Sequence, residues 1–177
     1  MKIFKFILIL FITVSITSCS SEEGEPTITL SNANIVGSYD ISKLNIVEVE
    51  SATSSAGVTV ELSKNTKIGD TFQVELEIKS NGTFTASGEY RSTSTVVPTP
   101  TNGQEDPKII NINSSGSYEL NTSLNTINFT QNEGDFIDGS FDITTFNETT
   151  VIMNQEATDI QGGITNEIKT NITFTRQ

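Results

Sequence analysis

The chain has no histidine and no tryptophan, a single cysteine, four prolines and only ten basic residues among 177. Without histidine, the usual general base near neutral pH and the commonest metal ligand are missing. Serine–histidine and cysteine–histidine nucleophiles are excluded with it. So are zinc sites built from cysteine and histidine. One cysteine cannot close an intramolecular disulfide, so stability must come from a packed core. No glycine-rich phosphate loop precedes a helical segment. A pair of carboxylates could still cleave a glycosidic bond. With no tryptophan and three tyrosines, however, little surface is left for stacking a sugar. The residues therefore point away from an enzyme, and no cofactor or metal is expected. Basic residues are outnumbered by 22 acidic ones, for a formal net charge of −12. The isoelectric point is near 4.3. That balance carries no footprint for nucleic acid and speaks mainly of solubility.

What the chain does have is alternation. Thr, Ser, Asn, Ile and Val dominate, and helical periodicity is hard to find. Phe72, Val74, Leu76 and Ile78 alternate with Gln73, Glu75, Glu77 and Lys79. This is the period of a half-buried strand. It runs into Asn81-Gly82, a strong hairpin signal because both turn positions favour φ > 0. Phe84, Ala86, Gly88 and Tyr90 continue the buried face on the return strand. A first strand is expected from about Asn34 to Glu50. Its apolar parity is odd at Ile35, Tyr39 and Ile41, even at Leu44 and Ile46, and odd again at Val47 and Val49. Breaks of that kind imply a bulge or bend. A short strand covers Val58, Val60 and Leu62. Others are expected near Ile109–Leu120, Thr126–Gln131, Phe136–Phe146, Thr149–Ala157 and Ile164–Arg176. Turns fall at Gly57, Gly69-Asp70, Asn121-Thr122, Glu133-Gly134, Asn147-Glu148 and Gly162-Gly163. The long connection Val97 to Lys108 holds Pro98, Pro100 and Pro107, which bar it from a ladder.

Short strands with tight turns suggest an all-β, antiparallel up-and-down barrel of about eight to ten strands, or a β-sandwich. An immunoglobulin-type sandwich lacks its disulfide pair and core tryptophan here. Only 34% of residues are hydrophobic. The core must be thin, with one wetted strand face.

The N-terminus carries an address. Lys2 and Lys5 precede an apolar run from Phe6 to Ile16, which is of signal-peptide length and short for a membrane span. Ile16-Thr17-Ser18-Cys19 resembles the lipobox of bacterial lipoproteins. The resemblance implies cleavage before Cys19 and diacylglycerol on its thiol, and it places the protein on a membrane through that residue. Stable anchoring takes more than one chain, since each buried CH₂ adds only ~0.8 kcal/mol. Loss of Lys2 and Lys5 with the leader deepens the net charge from −12 to −14. Residues 1–18 are then the signal peptide and 19–33 an acylated, acidic tether. From Ser20 to Asn34 such a tether reaches at most ~50 Å at ~3.3 Å per residue. Ser20 follows the cysteine where aspartate would signal inner-membrane retention. The acids Glu22, Glu23 and Glu25 resemble a surface-export tag of Gram-negative lipoproteins, so the outer membrane or cell surface is the implied location.

Residues 34–177 make the remaining domain. Asn34-Ile35-Val36-Gly37-Ser38-Tyr39-Asp40-Ile41 resembles the opening of bacterial lipocalin-like proteins, with Tyr39 standing where that family carries tryptophan. At the other end, Ile164, Ile168, Ile172, Phe174 and Arg176 share one parity. The resemblance implies that Gly37, Tyr39 and Arg176 close the barrel, with Arg176 packed over Tyr39. Ile78-Lys79-Ser80-Asn81-Gly82-Thr83-Phe84, Ser115-Gly116-Ser117-Tyr118-Glu119-Leu120 and Thr173-Phe174-Thr175-Arg176 are similar to strand phrases of the same proteins.

Two functions follow as expectations. The first is a lipid-anchored, lipocalin-like barrel binding a small apolar or amphipathic ligand. Its cavity candidates are Phe72, Val74, Leu76, Ile78, Phe84, Tyr90, Tyr118, Leu120, Ile127, Phe129, Phe141, Ile143, Ile172 and Phe174, with Ala86 and Gly88 leaving room among them. The second is a non-catalytic surface module that contacts a protein or glycan through rim loops, Val97 to Lys108 above all. Asp138 and Asp142, expected on one strand face, offer oxygen ligands of the kind calcium takes. Their spacing does not match an EF-hand loop, and a solvated face accounts for them.

Overall fold

A computed structural model of the chain describes residues 28–98 and 105–177. Cys19, the leader, most of the acidic tether and residues 99–104 of the long connection lie outside the described residues. Eight strands follow in chain order. They are β1 (Gly37–Thr53), β2 (Thr59–Ile78), β3 (Thr83–Val97), β4 (Lys108–Asn121), β5 (Thr126–Glu133), β6 (Gly139–Phe146), β7 (Thr150–Gln161) and β8 (Ile164–Arg176). Each pairs antiparallel with the next, and β8 pairs back onto β1. The result is a closed up-and-down barrel, with no helix among the described residues. Closure removes the sheet edges that an open β-protein would expose.

Alternation decides what the barrel holds. On β2 the inward Val74, Leu76 and Ile78 are buried and the intervening Glu75 and Glu77 are exposed. Glu89, Arg91, Glu119 and Asp142 likewise face solvent on their strands. The outer wall thus carries these charges, with Ile68 and Ile109 also exposed on it.

β2 is longer than alternation alone suggested. The segment Val58–Leu62 is not a separate strand, and Gly69-Asp70 is not a turn. Thr59–Leu62 and Gly69-Asp70 both belong to the twenty-residue β2, and Val58 precedes it. Gly69 and Asp70 stay paired with Ser92 and Arg91, and the register slips only between Asp70 and Gln73. Thr71, at φ 52°, absorbs the extra residue. Arg91 donates to both oxygens of Asp70, at 2.6 and 3.0 Å, which pins the strand at this point. That contact and the Thr71 hydroxyl hold the Asp70 carboxyl below its ordinary pKa.

β1 bends at the same level. Its register slips between Asp40 and Leu44 against β2, and between Ile41 and Lys43 against β8. This is the first expected parity break, and it is a bulge. The second is different. Pairing from Leu44 to Glu50 is continuous on both sides, so Val47 and Val49 face outward while Glu48 and Glu50 face inward. The next slip comes between Glu50 and Ser51. Apolar parity misled at Val47 because the inward row has become polar there. β1 itself begins at Gly37, and Asn34 to Val36 precede it.

Candidate functional site

The paired bulges form a waist that divides the interior. Below it lies the closed end. A turn at Ser31–Ile35 is held by Asn34 N–H and Ile35 N–H donating to the Ser31 carbonyl at 3.1 and 2.9 Å. It drives Ile35 into the core with no exposed surface, and Leu30 packs against that core. Tyr39 and Arg176 sit directly opposite each other on β1 and β8. The guanidinium carbon lies 5.7 Å from the Tyr39 ring centre. Arg176 also donates to the carbonyls of Asn34 (2.9 Å) and Val36 (2.7 Å). A Cβ on Gly37 would stand 3.3 Å from that guanidinium, so glycine gives it room. The Tyr39 hydroxyl donates to the Ile35 carbonyl at 2.6 Å. Burial pushes the Tyr39 phenol above its ordinary pKa, against a smaller opposing pull from Arg176. Arginine, tyrosine and the turn thus form one plug.

Above the plug the barrel is filled. Phe84, Phe129 and Phe141 meet edge to face, with ring centres 5.1 and 5.9 Å apart. Tyr39 meets Phe174 in the same manner at 6.5 Å. Of the fourteen residues expected around a cavity, twelve are buried in this core, and Phe72 and Leu120 are partly buried against it. Nor do Ala86 and Gly88 leave space. Ala86 is buried. At Gly88, with φ +129°, a Cβ would lie 1.9 Å from the Gln73 carbonyl oxygen. Its small size admits the β2 backbone, not a ligand.

Space opens at the waist. A cavity of about 210 Å³ is walled by Leu44, Ile46, Tyr90, Ile110, Ile112, Phe136, Phe141 and Ile172. Asp135, Asp138, Gln155 and Thr170 complete its lining. Tyr90 stacks on Phe72, the residue carried by the β2 bulge, at 5.7 Å. Burial raises the Tyr90 pKa, and the Asp135 charge raises it further. Only Tyr90, Phe141 and Ile172 come from the fourteen candidates. Ile110 and Ile112 were nevertheless visible in the sequence, since they share the parity of Tyr118 and Leu120 on the same strand. Asp135, Gln155 and Thr170 carried no signal, because periodicity marks apolar residues only.

Beyond the cavity, β1, β2, β3, β7 and β8 run on past the shorter β5 and β6. They enclose an open vestibule of about 500 Å³ whose lining includes Glu48, Glu50, Ser63, Asn65, Asp159, Asn166 and Ile168. Its wall is cross-linked. Ser94 donates to Asn65 (2.7 Å), and Asn65 (3.1 Å) and Lys67 (2.6 Å) donate to Glu48.

Asp138 and Asp142 are both exposed and alternate with the buried Ile137, Phe141 and Ile143. Asp138 precedes β6 and lines the cavity, where its carboxylate accepts the Gln131 N–H at 3.0 Å. Asp142 lies within β6 and lines a groove on the outer wall. No cluster of three or more potential metal-ligating acids or thiols occurs among the described residues. In comparisons with known proteins, no family model, no curated protein and no solved structure matches the chain.

Proposed function

We propose that this protein is a lipid-anchored, lipocalin-like envelope barrel that holds a small amphipathic ligand at its open end and carries out no catalysis. Cys19 is its anchor in the outer membrane. The carrying observation is the 210 Å³ cavity, lined by apolar side chains together with Asp135, Asp138, Gln155 and Thr170, which sits on a filled core on the vestibule side of the barrel. Its size is below the ~300 Å³ at which drug-sized pockets begin, so the ligand is small. The sealed Tyr39–Arg176 end supports entry from the other side only.

The test is native mass spectrometry of the full chain, purified gently from its parent cell. A small adduct that denaturation removes is the expected result, and Ile112→Trp, which fills the cavity, should abolish it. A bare mass in repeated preparations, together with no binding of any small amphiphile, would count against the reading. Anchoring is tested separately by Cys19→Ser, which should release the protein from the membrane fraction.

One observation favours a second reading. Val58, Val60 and Leu62, beside the β1–β2 turn, are 59, 56 and 41% exposed. Apolar residues gathered at a rim suit a protein contact, as an interaction module would need.

A further inference from the structure

The lip of the cavity has a sign. The polar residues that line it are Asp135, Asp138, Gln155 and Thr170, and none of them is a cation. Asp138 is fixed in place: its carboxylate accepts the Gln131 N–H, and Gln155 donates to its carbonyl at 2.8 Å. Asp135 is exposed and has no hydrogen bond or ion pair among the described residues. The inward cations nearby are already engaged. Lys67 is paired with Glu48 at 2.6 Å, and Lys108 with Glu105 at 3.0 Å. Further up the vestibule the inward row adds Glu50 and Asp159. A ligand seated here therefore meets unopposed negative charge where its polar end emerges.

We propose, resting on the ligand-binding reading above, that the ligand's polar group is a protonated amine joined to a compact apolar body. The apolar body displaces water from the walls of Leu44, Ile110, Ile112 and Ile172. The ammonium group meets the carboxylate of Asp135 at the lip, and the charge of Asp138 on the same loop adds to the attraction. A cavity of about 150 Å³ accepts benzene, so 210 Å³ holds one ring with a short chain. An anionic head is repelled from the same position. A neutral hydroxyl can donate a hydrogen bond to a carboxylate but gains no ion-pair attraction.

Three probes of one shape and different charge separate these cases: phenethylamine, phenethyl alcohol and phenylpropionate. Each is titrated at low salt into the full chain in zwitterionic lipid nanodiscs, with empty nanodiscs subtracted. The amine should bind about tenfold more tightly than the alcohol, and the carboxylate more weakly still. High salt should narrow that gap. Asp135→Asn, an exposed substitution with no lost partner, should narrow it too, and Asp135→Asn with Asp138→Asn should close it. Equal binding of amine and alcohol, or preference for the carboxylate, overturns the amine proposal while the binding reading stands. An amine preference untouched by both substitutions also overturns it. Failure of all three probes overturns this proposal, and the binding reading falls with it only where the natively purified chain also carries no adduct.

Discussion

The two ends of the barrel are built from the same strands with the same alternation, yet their inner rows differ in kind. At the closed end the inward positions of β1, β2 and β8 are Tyr39, Leu76, Ile78 and Phe174, all buried. At the open end the same strands point Glu48, Asn65, Lys67 and Thr170 inward. The change falls at the bulges of β1 and β2. Closed-end side chains gain by leaving water, at about 25 cal/mol per Å² of apolar surface. Open-end side chains stay solvated and satisfy one another, which adds little stability. One end thus makes the fold and the other is free to serve a ligand.

Substitutions at the two ends should therefore differ steeply. Phe129→Ala, in the middle of the three-ring stack and 1% exposed, should cost about 3–5 kcal/mol in urea unfolding. Arg176→Met keeps much of the stem but removes the cation over Tyr39 and both donors to the turn. A loss of about 2–3 kcal/mol is expected, with faster amide exchange at Ile35. Tyr39→Phe, which deletes the bond to the Ile35 carbonyl, should cost about 1 kcal/mol.

The tyrosines add a pH signature. Tyr39, Tyr90 and Tyr118 all have raised pKa values, with burial the leading cause. The folded state thus holds the phenolic protons more tightly than the unfolded one. That stability is complete below about pH 10 and is lost as pH climbs through the raised folded values. Tyr39→Phe should make the alkaline loss shallower in unfolding curves measured across that range. The smallest effect belongs to the open end. Glu48→Gln weakens a pair whose side chains are 38 and 35% exposed, and it should change stability by less than about 1 kcal/mol.

The closed end was the legible one. The alternation from Phe72 to Ile78, the Asn81-Gly82 turn and the shared parity of Phe174 and Arg176 were readable because nearly every inward position there, Arg176 apart, is apolar. That reading fails where burial stops dictating residue type. Val47 and Val49 looked inward because they are apolar, but they face outward opposite a polar inner row. Gly69-Asp70 looked like a turn, since composition does not distinguish a turn from a bulge pinned by Arg91 across the ladder.

The most direct measurement is isoleucine-methyl NMR of the full chain titrated with phenethylamine. Shifts confined to Ile46, Ile110, Ile112 and Ile172, with Ile35, Ile78 and Ile127 unmoved, are predicted for a ligand seated above a filled core. Shifts centred on the closed-end methyls, or none at any isoleucine, would contradict the division of the barrel into a sealed end and a receiving one.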